Sequence, residues 1–158
     1  MCAKSSSRGF TLVELITVLL LISILALTVV PKMQGALGFR DDGWRDQIVA
    51  SLHYAHKLAI GHRRLVCASV SASDVTLTIA SANPATSCDT ALPGVDGQAL
   101  AASAQGGAAA AISPAGAIYF QPSGRATSDG AGSSASTRSI TISGQTAITL
   151  IGETGHVE

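Results

Sequence analysis

Glu14 is a carboxylate in a place where carboxylates are rare, inside "RGFTLVELITVLLLISI" (residues 8–24), an apolar run that opens beside Arg8. An acid in a lipid-facing segment is costly, is usually paired, and by default marks function. The alternative is a carboxylate that only reaches back to the headgroups. The three cysteines carry a second kind of chemistry. Cys2 precedes the run, and Cys67 and Cys88 follow it. If the run is a membrane boundary, Cys67 and Cys88 share a compartment from which Cys2 is excluded. Two cysteines in a non-cytoplasmic domain read as a disulfide, worth roughly 3 kcal/mol for a loop of this length. The alternative is a pair of buried free thiols. Neither cysteine has the C-x-x-C or histidine partner that zinc requires.

His53, His56 and His62 invite a metal reading, because positions three apart share a helix face. No nearby Asp, Glu or Cys completes a site, so they are expected to face solvent, and no metal or cofactor is expected. Catalysis finds no footing either. There is no G-x-S-x-G elbow. The acids beyond the first third of the chain (Asp74, Asp89, Asp96, Asp129, Glu153 and Glu158) are not paired as a general acid and base would be. The chain reads as a non-enzyme. Its formal net charge is zero with 13% charged residues, which gives no prior for nucleic acid. Past Arg64 only Arg125 and Arg138 oppose those six acids, so nucleic-acid binding is disfavoured unless these two arginines converge in the fold.

The elements that must position these residues follow from periodicity. From Thr11 to Val30 the only charge is Glu14, and twenty helical residues span about 30 Å, the thickness of a bilayer's hydrocarbon core. Lys4 and Arg8 flank the run on its N-terminal side, which keeps the N-terminus cytoplasmic and sends the remainder outward. A cleaved secretory signal would be shorter and end in a small-x-small site, whereas this run continues through "LALTVVPKM". Pro31 should kink or loosen the helix, with Gly35 and Gly38 adding weakness. The alternative is an ordinary end to a transmembrane helix.

Residues 42–64 read as an amphipathic helix with Trp44, Ile48, Leu52, Ala55 and Ala59 on one stripe. Arg63 and Arg64 lie where cations favour a helix C-terminus. Beyond Arg64 the period changes to two. Residues 65–71, 74–80, 117–120, 138–143 and 146–152 read as strands, with antiparallel hairpins at 65–80 and 138–152. The Ala-, Gly- and Ser-rich stretches 99–117 and 122–137 read as loops. With aromatics at 4%, any core must be built from small side chains. The expected fold is α+β, a long N-terminal helix packed on a small antiparallel β-sandwich.

These residues carry a family resemblance. "RGFTLVELITVLLLISILA" resembles the start of a type IV pilin-like prepilin. The family motif maps onto Gly9, Phe10, Thr11, Leu12, Glu14 and Leu15 without departure. The resemblance implies that prepilin peptidase cuts after Gly9 and that the new N-terminal Phe10 is N-methylated. It gives Glu14 a partner, the free amine of a neighbouring subunit's Phe10, so that the acid keeps assembling subunits in register. An ammonium at hydrogen-bonding range offsets the cost of that carboxylate in low dielectric. A proline at the place of Pro31 is also a family feature. Within the family, the chain is similar to pseudopilin H of type II secretion. "SLHYAHKLAIGHRR", "YFQPSGRAT" and "ITLIGETGHVE" resemble segments of the MshC minor pilins of the mannose-sensitive haemagglutinin (MSHA) pilus.

The resemblance divides the chain into a leader (1–9), a transmembrane and assembly helix (10–31), its periplasmic amphipathic continuation (32–64) and a periplasmic β-sandwich (65–158). It implies a minor pilin or pseudopilin anchored once in the bacterial inner membrane and then built into a filament. Its partners would be other pilin or pseudopilin subunits, the prepilin peptidase/N-methyltransferase and an inner-membrane assembly platform. An MSHA-like pilus is the leading system, with a pseudopilin H-like subunit the alternative and a DNA-uptake minor pilin a weaker one.

Overall fold

The computed structural model describes residues 11–158, and over residues 27–38 the helix backbone alone. Gly9 and Phe10 therefore lie outside the described residues, as do the side chains of Pro31, Gly35 and Gly38. The chain divides into two compact units, Met1–Leu37 and Gly38–Glu158.

A single helix, α1 (Leu12–His62), opens the described chain. Thr11 caps it: its Oγ1 accepts from the Glu14 N–H at 3.3 Å, and its carbonyl accepts from Leu15 N–H at 3.2 Å. Thr11 and Glu14 thus stand in the T-x-x-E spacing of a capping box. The helix ends in a Schellman turn. Arg63 N–H donates to Ile60 O and Arg64 N–H to Ala59 O, both at 3.2 Å. Arg63 takes the left-handed conformation (φ 53°) that glycine usually supplies there.

In the second unit, Trp44, Ile48, Leu52, Ala55 and Ala59 are all fully buried, so the stripe expected from their spacing is the packing face. It meets two antiparallel sheets. The first has the order β3 (Thr90–Leu92), β2 (Asp74–Ile79), β1 (Val66–Val70), β6 (Ile118–Phe120), β7 (Ala126–Thr127). A further strand, β4 (Ala102–Ser103), takes the part of β2's outer edge that β3 leaves free, through Asp74 and Val75. The second sheet has the order β5 (Ala110–Ser113), β8 (Arg138–Ile142), β9 (Ile148–Leu150). The two expected hairpins form, β1 with β2 and β8 with β9.

The stretches 99–117 and 122–137 are not simply loops. They contain β4, β5 and β7, and their alanines Ala102, Ala104, Ala110 and Ala126 are buried in the core. A methyl is enough to fill a gap between a helix and a sheet, and alternation over two to four residues is too short to register as a strand. Polar side chains on α1 tie down the first of these stretches and the turn between β8 and β9. Asp41 accepts from Ala108 N–H at 2.7 Å, Arg40 donates to Gln105 O at 2.8 Å, and Arg45 donates to Thr146 O at 2.9 Å. Cys67 on β1 and Cys88 are joined as a disulfide, holding the 81–89 segment to the sheet.

Candidate functional site

Glu14 occupies the first turn of α1 with its side chain exposed, among Leu12, Val13, Leu15 and Ile16, which are also exposed. A negative charge in the first turn is favoured by the partial positive charge of the helix N-terminus. The capping bond itself is made by the Glu14 backbone N–H to Thr11 Oγ1, so the favourable position in the helix dipole is the local contribution of the carboxylate. The sequence signal for the cap, T-x-x-E, was present in "TLVE". Among the described residues no helix is long and apolar enough to cross a membrane. The expected span, Thr11–Val30, includes residues 27–30, whose side chains lie outside the described set.

In the second unit, the segments "SLHYAHKLAIGHRR", "YFQPSGRAT" and "ITLIGETGHVE" meet at one place. His56 Nε2 lies 2.9 Å from Gly124 O. Arg125 Nε donates to Glu153 Oε2 at 3.1 Å. Gly155 has φ 65°, and a Cβ there would overlap both Gly124 O and the His56 ring, so only glycine fits. The His53 and His156 rings meet edge to face, 6.2 Å between centroids, and His56 lies 5.8 Å from Phe120.

His53 and His56 are therefore half-buried packing residues rather than solvent-facing ones, whereas His62 is exposed. Their rings fill the space between α1 and the last turns of the chain, which helical spacing alone could not reveal. Burial, then the nearby His156, Lys57 and His56, push the His53 pKa below its ordinary value. Among the described residues, no group of three or more His, Cys, Asp or Glu is placed to hold a metal.

The two arginines of the domain do not make an anion site. Arg125 is paired with Glu153. Arg138 is buried, and its guanidinium donates to Pro114 O (2.7 Å), Gly116 O (3.2 Å) and Ala117 O (3.0 Å). Burial pushes its pKa down, with a smaller opposing effect from Tyr119. Arg138 is committed to holding a turn, and its remaining Nε–H is buried, out of reach of a phosphate in solution.

Residues 4–30 match the family model of the prokaryotic N-terminal methylation motif. No curated protein and no solved structure matches the chain. The motif makes this a type IV pilin-like protein, of the pilin and pseudopilin class whose precursors are processed by prepilin peptidase. The motif further implies anchoring in the inner membrane before assembly with other pilins. Such proteins are typically structural subunits rather than enzymes.

Proposed function

We propose that this chain is a minor pilin of an MSHA-like type IV pilus. It is cut between Gly9 and Phe10, methylated on Phe10, and assembled through its apolar N-terminal helix, with Glu14 held against the Phe10 amine of a neighbour. Pro31 is the point at which that helix can loosen on assembly. The observation that carries the reading is the methylation motif at residues 4–30, leading into α1 and from there into two antiparallel sheets. The MSHA branch draws support from the three segments that resemble it, since they pack against one another through His56, Gly124, Arg125, Glu153 and Gly155.

The test is Glu14→Val in the native host. The variant should be cleaved and methylated normally but lost from sheared surface filaments. Normal incorporation would remove the assembly role of Glu14 and leave it an acid favoured by the helix N-terminus. Recovery of the parent chain only with secretion pseudopilins, with secreted enzymes retained when it is deleted, would transfer it to the pseudopilin H reading.

A further inference from the structure

Phe39 is left in water. It is 78% exposed, whereas Trp44 and Phe120 are buried and Tyr54 and Tyr119 are half-buried. The helix cannot roll it inward, because the next two residues are tied to the body of the second unit. Arg40 donates to Gln105 O at 2.8 Å, and Asp41 accepts from Ala108 N–H at 2.7 Å. A single exposed apolar residue needs no explanation, but Phe39 does not stand alone. Among the described residues, the second unit leaves four large apolar side chains exposed: Phe39, Ile60, Val95 and Leu100. Three of them border one groove.

Behind Phe39 on the same face of α1 follow Gly43, Gln47 and Ala50, at spacings of four, four and three. A Cβ at Gly43 would meet nothing within 4 Å. Gln47 and Ala50 form one wall of an open cavity of about 580 Å³, and Val95 and Leu100 belong to the other. That other wall is pre-formed: Gly94 N–H donates to Gln98 O, and Ser51 Oγ donates from α1 to Ala101 O, both at 2.8 Å. The charges around the groove are of both signs, Asp42, Asp46 and Asp96 beside Arg40 and Arg45, and its floor carries none. Such a surface selects an apolar occupant with a polar rim rather than a strongly charged one. From Phe39 to Ala50 the floor runs eleven residues, about 16 Å. A helix fits that length, and a glycine in the floor lets two helices approach closely. Lipid does not reach it. Ala50 is twenty residues past Val30, about 30 Å of helix, whereas a headgroup layer is roughly 5–8 Å thick.

We propose that this groove seats the apolar N-terminal helix of a neighbouring pilin subunit of a different kind. Phe39, Val95 and Leu100 close on its sides, and Gly43 sets the distance between the two helices. The inference rests on the pilin reading and deepens it. It continues the assembly surface of α1, whose exposed apolar residues begin at Leu12, onto a named face of the second unit. The occupant is a different chain because a minor subunit is bordered by subunits of other kinds, so one copy is enough to make the contact.

The test uses the full-length chain in its native host, with the photo-crosslinker benzoylphenylalanine replacing Phe39, Val95 or, as a control, the exposed His62. After irradiation of sheared filaments, the probes at 39 and 95 should join to the apolar N-terminal segment of the same other subunit, identified by mass spectrometry of the linked peptides. The probe at 62 should not. Gly43→Trp fills the groove at a position where the chain itself has room. It should leave processing and the melting temperature in detergent unchanged but lower recovery in filaments by roughly tenfold or more, while Gly43→Ala is incorporated like the parent. Probes that link to lipid, to a second copy of this chain or to the sheets of another subunit overturn the groove and leave the pilin reading standing. So does Gly43→Trp recovered in filaments at the parental level. A parent chain that is neither processed nor found in filaments takes both down.

Discussion

Arg138 occupies a core position of β8, in phase with Ile140 and Ile142, which are buried on the same face. A guanidinium there is tolerated because three carbonyls of the 114–117 turn receive it. Arg138→Met should leave those carbonyls without donors and lower stability by about 2–4 kcal/mol, read as a lower denaturant midpoint. An unchanged midpoint would mean that water satisfies the turn equally well. The period-two pattern of "RSITI" already places this arginine inward. What the pattern does not contain is the turn that meets it, 21 to 24 residues away in sequence.

His53 carries a pH dependence of definite sign. Its pKa lies below the ordinary 6.5 when folded, so the unfolded chain binds more protons in that range. Stability from this group is intact above pH 6.5 and is lost as pH falls from there through the lower folded value. The groups around it that favour the neutral form are His156 on the last segment and Lys57 and His56 on α1. Thermal unfolding between pH 7.5 and 5 should show the loss, and His53→Gln should flatten the profile over that window. A variant with the same pH profile as the parent would place the effect elsewhere.

At the scale of elements, the long periodic segments were legible and the short ones were not. The α1 stripe over Trp44–Ala59 and the two hairpins follow from residue type and spacing, because five-residue alternation and a helical stripe are strong local signals. β3, β4 and β7 span two or three residues each, and β4, β5 and β7 consist of Ala with Ser, Thr or Ile. They are strands because a neighbouring strand or α1 offers partners for their backbone, which local propensity does not encode. The disulfide works at this scale too. It closes the segment between β1 and β3, in which β2 is paired but 81–88 has no strand. Cys67→Ser should cost roughly 3 kcal/mol by loop-closure arithmetic and leave Cys88 reactive to a thiol probe. Equal stability, with both thiols already reactive in the parent, would mean that the two cysteines are not bridged in the cell.

At the scale of the whole molecule, the N-terminal motif at residues 4–30 carries the class. The roles expected of Gly9, Phe10 and Glu14 rest on a short linear segment, independent of the fold that follows. The junction of His56, Gly124, Arg125, Glu153 and Gly155 was visible only as three separate resemblances, since their meeting depends on sheet order. The central claim is that this chain is made as a prepilin and matured at Gly9–Phe10. Intact mass and N-terminal sequence of the protein purified from its native membrane test that claim most directly. The account predicts a chain beginning at N-methylated Phe10, lighter by two hydrogens for the Cys67–Cys88 bridge; a chain that retains Met1 would contradict it.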